Sequence, residues 1–266
     1  MGQSDYVNFL VPLDSSLTAT SGSWTVATDS AAAGAKVVVR SGTTSDTPSL
    51  TVQPYLTGTT YSASDLSTAL TTMQTIYSNN GVTLTVNSVQ AISDSQYSSV
   101  SPYFTNSTTS ALINQGTAGH VNLFFVNDFS GCPVNDSTCD SLGIAAGIPG
   151  SLGVVGNHNG VLVGLKAHAS GGSLQSQLLA ETAAHEMGHF LGLYHPTEGG
   201  GALFDPISDT PECTVGSITA EECESYGGGN LMFWTTYSTS SRNAGKKQER
   251  LCPNQVHVIR YSPIAQ

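Results

Sequence analysis

The stretch AAHEMGHFLGLYHP, residues 183–196, brings three of the chain's seven histidines close together. His185 and His189 are four residues apart, so on a helix both imidazoles project from the same face, one turn apart. Both can then reach one metal ion at the ~2.0–2.1 Å of a zinc–nitrogen bond. Glu186 would stand beside the ion without binding it, where a general base can take a proton from an activated water molecule.

A third ligand is available just beyond the helix. Gly192 can adopt a positive φ without steric cost and end the helix, so that His195 can fold back toward the ion. Pro196 keeps His195 out of helical geometry. The His-Glu-x-x-His pattern alone occurs by chance on many helices, whereas the added glycine and third histidine at fixed offsets make it specific. Three imidazoles leave a fourth coordination position open, which is typical of catalytic zinc sites.

Two helices are predicted from the apolar periodicity. One runs from about Ser173 through the histidine motif, which it must position. The other covers about residues 62–80, where Ser62 and Asp65 form a plausible capping box and Gly81 a plausible stop.

Candidate strands surround these helices. Residues 1–60 contain short β-branched runs between Gly, Ser, Asp and Pro, and the runs VTLTVNSVQAIS, HVNLFFVNDF and GVLVGLKAH lie between the two helices. The Gly-rich piece GIAAGIPGSLGVVGNHNG could supply an irregular or edge strand. A closing helix is predicted over PNQVHVIRY. This order of elements predicts an α/β or α+β layer with the second helix against a sheet.

The composition restricts the partners. The 266 residues can bury a sizeable core in one domain or two closely packed lobes, and 8 Lys and Arg against 19 Asp and Glu give a net charge of −11. Such a surface repels phosphate, which argues against nucleic acid and anionic membranes and favours basic side chains in a substrate. The chain has no apolar run of transmembrane length, and its opening lacks the features of a signal peptide. The low charged fraction favours a secreted or extracytoplasmic protein, and we expect a monomer.

The five cysteines indicate disulfides rather than thiolate zinc ligands, because none forms a Cys-x-x-Cys pair. Cys132 and Cys139 could close a small polar loop. The other three, Cys213, Cys223 and Cys252, allow one bridge and one leftover thiol. Five reduced thiols in a cytosolic protein are the alternative, which we favour less because short polar loops gain most from a bridge in oxidising compartments.

The motif HEMGHFLGLYH resembles that of the metzincin zinc peptidases, in which HExxHxxGxxH is followed by a methionine-containing turn. Met232, in GGNLMFW, matches that methionine. The segment between the two looks more specifically like the pappalysin group, with Asp-Thr-Pro at 209–211 and Asn-Leu-Met at 230–232. The closing LCPNQVHVIR is also similar to that group. The resemblance covers roughly residues 50–266 and explains nothing in residues 1–48.

The resemblance implies a zinc-dependent endopeptidase with an α+β fold, in which two lobes face a cleft. An upper lobe, 49–196, would hold a mixed twisted sheet, a backing helix and the zinc helix. A smaller irregular lobe, 197–266, would hold the Met-turn and the C-terminal helix, and 1–48 would form a β-rich extension. An edge strand within 142–156 would bind a protein or peptide substrate, extended and antiparallel to itself, through main-chain hydrogen bonds.

Two departures from the group affect the predicted site. The pappalysins usually have a tyrosine two residues after the Met-turn methionine, where this chain has Trp234, which carries no hydroxyl. Tyr237 is the candidate to replace it as a catalytic hydroxyl. A cysteine that often follows the third histidine is also absent. By position relative to the Met-turn, the resemblance then implies a Cys213–Cys252 bridge and leaves Cys223 unpaired.

The resemblance also implies calcium, which the pappalysins bind between the third histidine and the Met-turn. Four acids in that segment offer the oxygen ligands that Ca²⁺ prefers: Glu198, Asp205, Asp209 and Glu212. The alternative is that they are solvated turn residues of an acidic protein.

Two other functions compete with the peptidase. In a gluzincin-like hydrolase, a downstream glutamate such as Glu222 would replace His195 as the third ligand, although the Gly192–His195 spacing argues against this. A binding module could keep the metal site as a scaffold and have lost hydrolysis, for which Trp234 is the only support.

Overall fold

The computed structural model describes Ser15 and residues 44–133, 137–151, 159–198, 201–214 and 219–266. Nearly all of the predicted β-rich extension, 1–48, therefore lies outside the described residues. The strands, in chain order, are β1 (Ser49–Thr57), β2 (Thr83–Val86), β3 (Gln90–Ile92), β4 (Ser99–Val100), β5 (Val121–Val126), β6 (Asp128–Phe129), β7 (Gly143–Ala145), β8 (Val161–Gly164), β9 (Ala169–Ser170) and β10 (Ser173–Leu174).

The helices follow the same order along the chain. The α-helices are α1 (Ala63–Asn79), α2 (Ser107–Ile113), α3 (Ser176–Phe190), α4 (Ala220–Gly227), α5 (Thr239–Asn243) and α6 (Pro253–Tyr261). Short 3₁₀ helices cover Ser95–Tyr97, Ser137–Asp140 and Lys166–His168. Among the described residues, no helix is long and apolar enough to cross a membrane.

One mixed sheet forms the frame, with the order β2-β1-β5-β8-β7 and with β3 also pairing β1. The pairings of β1, β5 and β8 are parallel, and all side chains of β5 and β8 are buried, as expected for strands covered on both faces. β7 runs antiparallel to β8 and forms one edge of the sheet. The Gly-rich piece therefore does supply an edge strand, although residues 152–156 of the predicted range lie outside the described residues.

The run VTLTVNSVQAIS forms two strands rather than the one predicted. β2 pairs with the first half of β1 and β3 with the second half. Between them, the Gln53 side chain donates from Nε2 to the carbonyl oxygens of Pro54 at 3.0 Å and Ser88 at 3.1 Å. A side chain thus supplies hydrogen bonds where the ladder passes from one strand to the next.

Helix α1 agrees with its prediction. The Ser62 backbone N–H donates to Asp65 Oδ2 at 2.8 Å, which is the expected capping contact, and the predicted apolar stripe is buried. The Tyr77 hydroxyl donates to the Ala184 carbonyl at 2.9 Å and so joins α1 to α3.

Helix α3 begins at Ser176, three residues later than predicted. Ser173 and Leu174 pair antiparallel with Ala169 and Ser170 instead. Gly171 and Gly172, both with positive φ, make the turn of this small hairpin. The sequence contains this turn signal directly before the predicted helix start.

The main core continues across the predicted boundary between residues 196 and 197. Beside the sheet, α1 and α3, it includes Met232, Val258 and Ile259 from the C-terminal part. At the chain end, Gln266 exchanges backbone hydrogen bonds with Ser49, at 2.9 and 3.0 Å.

The disulfide prediction for the C-terminal part is wrong. Cys213 is bonded to Cys223, with Cα atoms 5.7 Å apart, and Cys252 is a free thiol. The bonded pair packs with Phe233 in a small apolar cluster, whereas Cys252 stands at the start of α6. Cys132 is disulfide-bonded, but the side chain of Cys139, its predicted partner, lies outside the described residues.

Candidate active site

The three histidines converge at the end of α3. His185 and His189 lie on consecutive turns of the helix, which ends at Phe190, and Gly192 takes a φ of 109° as the chain turns back. His195 Nε2 then lies 3.2 Å from His185 Nε2 and 3.0 Å from His189 Nε2. Within the described parts of the chain, these three residues are the only His, Cys, Asp or Glu group close enough to hold one metal ion.

This geometry fits zinc. Four ligands arranged tetrahedrally at ~2.0–2.1 Å from an ion are separated from one another by about 3.3 Å. The observed spacings of 3.0 and 3.2 Å match that separation closely. The arrangement therefore suits a cation that the three nitrogens would share.

Each ring is also held by its other nitrogen. Nδ1 of His185 lies 2.7 Å from the Leu231 carbonyl oxygen, and Nδ1 of His189 lies 2.7 Å from the Leu193 carbonyl oxygen. Since a carbonyl can only accept, both Nδ1 atoms carry the proton and both Nε2 lone pairs point to the shared centre. Glu198 Oε2 holds His195 Nδ1 in the same way, at 3.2 Å.

Burial keeps the two helical imidazoles neutral. It lowers the pKa of His185 to about 3, with a further lowering from His195. Burial likewise lowers the pKa of His189 well below its ordinary value, and the neighbouring histidines add to the effect. Neutral imidazole is the form that binds metals.

The side chain of Glu186 extends from α3 toward the edge strand β7. A Cβ added to Gly143 in β7 would lie only 2.7 Å from Glu186 Cγ, and the Ala145 backbone donates a hydrogen bond to the carboxylate. Burial raises the pKa of Glu186 to about 8, against the opposing effect of that hydrogen bond. The structure thus places Glu186 directly beside the triad, in contact with the strand that the sequence analysis expects to bind substrate.

Met232 is fully buried under α3, with its sulfur in close contact with Gly188. Any larger residue at 188 would collide with that thioether. Asn230 holds the turn: its Oδ1 accepts from the Met232 backbone N–H at 2.8 Å, and its Nδ2 donates to Gln255 Oε1 at 2.9 Å. The same turn presents the Leu231 carbonyl to His185.

A cleft of about 670 Å³ opens in front of the triad. One wall is the segment 140–145, which includes β7, and the opposite wall consists of Leu231 and residues 233–236. The Glu181, Thr182, His185 and Glu186 face of α3 lines the cleft between them. On its outer edge, β7 has no paired strand among the described residues.

An ion pair that the sequence analysis missed also lines the cleft. Arg242 Nη2, on α5, lies 2.9 Å from Glu181 Oε2, one helical turn before His185. Gln177 Nε2 donates to Glu181 Oε1 at 2.9 Å, and Arg242 Nη2 donates to Gln248 Oε1 at 3.3 Å. The position of Glu181, four residues before His185, is a signal that could have identified it, but nothing in the sequence pattern identifies Arg242.

The sequence also did not predict that a buried histidine, His168, holds the Thr182 side chain. His168 Nδ1 lies 2.6 Å from the Gly164 carbonyl oxygen, so it carries the ring proton, and Nε2 accepts from the Thr182 hydroxyl at 2.9 Å. Burial lowers the pKa of His168 to about 4. This histidine is a core residue with both ring nitrogens satisfied.

Tyr237 does not reach the cleft. Its ring packs against Gly228, its hydroxyl lies near Gly229, and Lys246 Nζ stands 5.6 Å from the ring centroid. Trp234 lines the cleft instead and packs against Phe233, with ring centroids 4.3 Å apart and the rings tilted by 38°. The predicted catalytic hydroxyl of Tyr237 is therefore corrected: the chain path after the Met-turn directs this side chain elsewhere.

The four predicted calcium ligands do not gather around one point. Glu198 holds His195, Asp205 Oδ1 accepts from the Thr210 hydroxyl at 2.6 Å, and Asp209 Oδ2 accepts from the Asn254 backbone N–H at 3.0 Å. Glu212, the fourth candidate, belongs to no group of His, Cys, Asp or Glu residues in the described chain that could hold a metal ion. The alternative third zinc ligand, Glu222, caps its own helix by accepting from the Thr219 backbone at 3.1 Å.

Three converging imidazoles beside a buried carboxylate, in a cleft along a free sheet edge, define the class of metal-dependent hydrolases. Residues 63–196, about half of the chain, match the metallopeptidase family M12B, reprolysin-like. The chain belongs to that family.

Curated relatives are extracellular metalloproteases of fungi. One from Colletotrichum graminicola is 48% identical over 56 residues, which are 20% of this chain and 20% of the relative. One from Podospora anserina is 35% identical over 100 residues, covering 37% of this chain and 31% of the relative. The chain thus spans about a third or less of the length of these relatives.

Solved structures were matched at low similarity. Archaemetzincin from Methanopyrus kandleri has 13% sequence identity and a TM-score of 0.43, covering 80% of this chain and 94% of that one. Metalloproteinase-II from Bacteroides fragilis has 14% identity and a TM-score of 0.42, covering 79% of this chain and 55% of that one.

Proposed function

We propose that this chain is a zinc-dependent endopeptidase. The observation that carries the proposal is the convergence of the His185, His189 and His195 Nε2 atoms beside the buried Glu186. A zinc ion held there would supply Lewis-acid polarisation and an activated water nucleophile. Membership of the metallopeptidase family supports the same chemistry.

Glu186 would move the proton. A cation held by the triad would favour the charged form of Glu186 against the effect of burial. As the carboxylate, Glu186 would accept a proton from the attacking water and then deliver it to the nitrogen of the leaving amine. Its contact with β7 supports this role, because a substrate bound along that strand would present its scissile bond nearby. The free edge of β7 would bind the substrate main chain as an added antiparallel strand.

We place the chain, within the metzincins, in the pappalysin group. The Asp-Thr-Pro and Asn-Leu-Met sequences support this finer assignment, as does the contact between Asn230 and Gln255 that joins the turn to the closing helix. Calcium is left out, because three of its four candidate ligands are engaged elsewhere and the four form no group that could hold one ion in the described chain. We also propose that the protein acts outside the cytoplasm, which the extracellular relatives and the Cys213–Cys223 disulfide support.

The test is the Glu186→Gln variant, because glutamine is nearly isosteric and cannot accept the proton. We expect zinc content to stay unchanged, while cleavage of a broad peptide library, followed by mass spectrometry, falls roughly a hundredfold or more. Glu221→Gln, which removes an exposed carboxylate on α4, is the matched control and should behave as the parent.

The outcomes separate the peptidase from a binding module that keeps the metal. Equal cleavage by parent and Glu186→Gln would exclude Glu186 as the base. A zinc-loaded parent that cuts no peptide would favour the binding module, for which Trp234 in the cleft wall remains the one supporting observation.

A further inference from the structure

The direction in which a substrate would run along the cleft follows from the contacts between the edge segment and α3. Gly143 lies beside Thr182, whereas Gly150 donates from its backbone N–H to the Phe190 carbonyl at 2.9 Å. At the same far end, the Tyr194 hydroxyl donates to the Ile148 carbonyl at 3.2 Å. The edge segment therefore runs alongside α3 in the same direction.

A substrate bound antiparallel to β7 must run the opposite way. Its N-terminal part would lie near Ile148 and Tyr194, and its C-terminal part would lie near Thr182 and Glu181. With the scissile bond at Glu186, the residue directly after that bond would face the Glu181 end of the cleft. This orientation rests on the proposed function.

The side chains at that end include the Glu181–Arg242 pair, Gln248 and the exposed Asp140. Glu181 is nearly buried, with 4% of its side chain exposed; Gln177 donates a hydrogen bond to Oε1, and Oε2 forms the ion pair with Arg242. Arg242 is 21% exposed. A guanidinium has five N–H donors, and the contacts of Arg242 to described residues use Nη2 alone.

Arg242 is also the only lysine or arginine among the described residues that line the cleft. The Glu181 carboxylate balances the charge of Arg242, so the buried part of the pocket offers free N–H donors without a net charge. A side chain with a carbonyl or carboxylate oxygen can accept from those donors. A substrate lysine or arginine would meet a group of its own sign at Arg242, which already pairs with the Glu181 carboxylate. Asp140, the other carboxylate at this end of the cleft, is exposed, so solvent weakens its attraction for a cation.

We propose that Arg242, held in place by Glu181, determines specificity for the substrate residue directly after the scissile bond. The preferred residues are Glu, Gln, Asp and Asn, and lysine and arginine are disfavoured. This reverses the preference for basic side chains that the net charge of −11 suggests, because the local donors and not the overall charge face the substrate.

The test uses the full chain with zinc and a series of peptides that differ only at the residue after the cleaved bond. That residue is Glu, Gln, Leu, Lys or Arg, and kcat/KM is measured for each peptide. We expect Glu and Gln to exceed Lys and Arg by about tenfold, the effect of one charge-assisted hydrogen bond made or lost. A flat profile, a preference for Lys or Arg, or selection only at the residue before the bond would overturn the inference while leaving the peptidase in place.

The double variant Glu181→Gln/Arg242→Gln removes both charges together, so that no buried carboxylate is left unpaired. Its ratio of Glu to Lys cleavage should fall to near one, and this ratio does not depend on its overall activity. Should the double variant not fold, Arg242→Lys, which keeps the charge but loses the planar donors, should lower the ratio of Gln to Leu cleavage. Lys166→Gln, an exposed cation outside the cleft, should keep the parent profile.

A Glu preference that survives in the double variant would exclude Arg242 as the determinant. Failure of the parent to cut any peptide in the series, with Leu included, would overturn the proposed function and this inference with it.

Discussion

At the scale of single residues, the candidate metal site depends on what holds each imidazole from behind. Main-chain carbonyls hold His185 and His189, and the half-exposed carboxylate of Glu198 holds His195. Such outer partners fix the tautomer and the direction of the lone pair. His195 is the ligand that lies beyond the helix, so it depends most on its local chain path.

The His195→Ala variant should lose most of its zinc, because two helical imidazoles alone cannot close a catalytic site. The measurement is the ratio of zinc to protein after exhaustive dialysis. His120→Ala is the matched control, since His120 is a partly exposed histidine whose ring contacts the Ala118 carbonyl. Zinc retained in full by His195→Ala would show that another residue supplies the third ligand.

Sequence reasoning identified the residues of the triad because their spacing is local. A four-residue helical step and a glycine-terminated helix bring His185, His189 and His195 together whatever the rest of the chain does. The Leu231 carbonyl and Arg242 are far away in sequence, so no periodicity could place them. The predicted role of Tyr237 was wrong for the same reason, because its position depends on the path of the chain after the Met-turn.

At the scale of elements, the sheet edge and α3 together line the cleft that contains the candidate site. The buried runs of β5 and β8 predict inner strands, and the Gly-rich piece predicts an edge. Boundaries were less predictable: Gly171 and Gly172 form a hairpin before α3, and one predicted strand divides into β2 and β3 opposite Gln53 of β1. Disulfide pairing depends on how α4 and the preceding loop pack, which a position relative to the Met-turn cannot show.

The Cys213–Cys223 disulfide should stabilise the loop before α4. Bridging a sequence separation of 10 residues restricts the unfolded chain by about 2–3 kcal/mol, so the Cys213→Ser/Cys223→Ser variant should lose roughly that much unfolding free energy in urea. Cys252→Ser is the control and should leave the bridge intact. Peptide mapping without reduction should link Cys213 to Cys223, and a fragment that links Cys213 to Cys252 would contradict the structure.

Asp205 should make the stability of its loop depend on pH. Burial raises the pKa of Asp205 to about 6, and Glu212 and Asp209 add to the rise. The native state then holds this proton more firmly than the unfolded chain does, so the contribution of Asp205 becomes less favourable as pH rises from about 4 to 6.

Asp205→Asn cannot titrate and should therefore gain stability relative to the parent between pH 4.5 and pH 7.5. The measurement is the difference between the two urea unfolding free energies at each pH, which cancels the titration of all other groups. Glu221→Gln, which removes an exposed carboxylate, should show a much smaller change. An identical difference between parent and Asp205→Asn at both pH values would contradict the raised pKa.

At the scale of the whole molecule, the candidate metal site joins parts that the sequence analysis assigned to two lobes. α3 supplies two ligands, the Met-turn supplies the carbonyl that holds His185, and Met232 packs into the same core as the sheet. α6 and the chain end complete that core. A metal bound at this junction would stabilise both parts together.

Chelation should therefore lower the thermal stability of the whole chain, and not only its activity. A ligand that binds the native state alone contributes about 4 kcal/mol when its free concentration is a thousand times its Kd. For a chain of this size, that corresponds to a fall in Tm of roughly 10 °C. Differential scanning calorimetry of the parent with and without chelator measures it. Glu186→Gln keeps all three histidines and should shift as the parent does, whereas His195→Ala should begin at a low Tm and shift little. A parent whose Tm is insensitive to chelation, while its zinc is removed, would show that the two parts are held together without the metal.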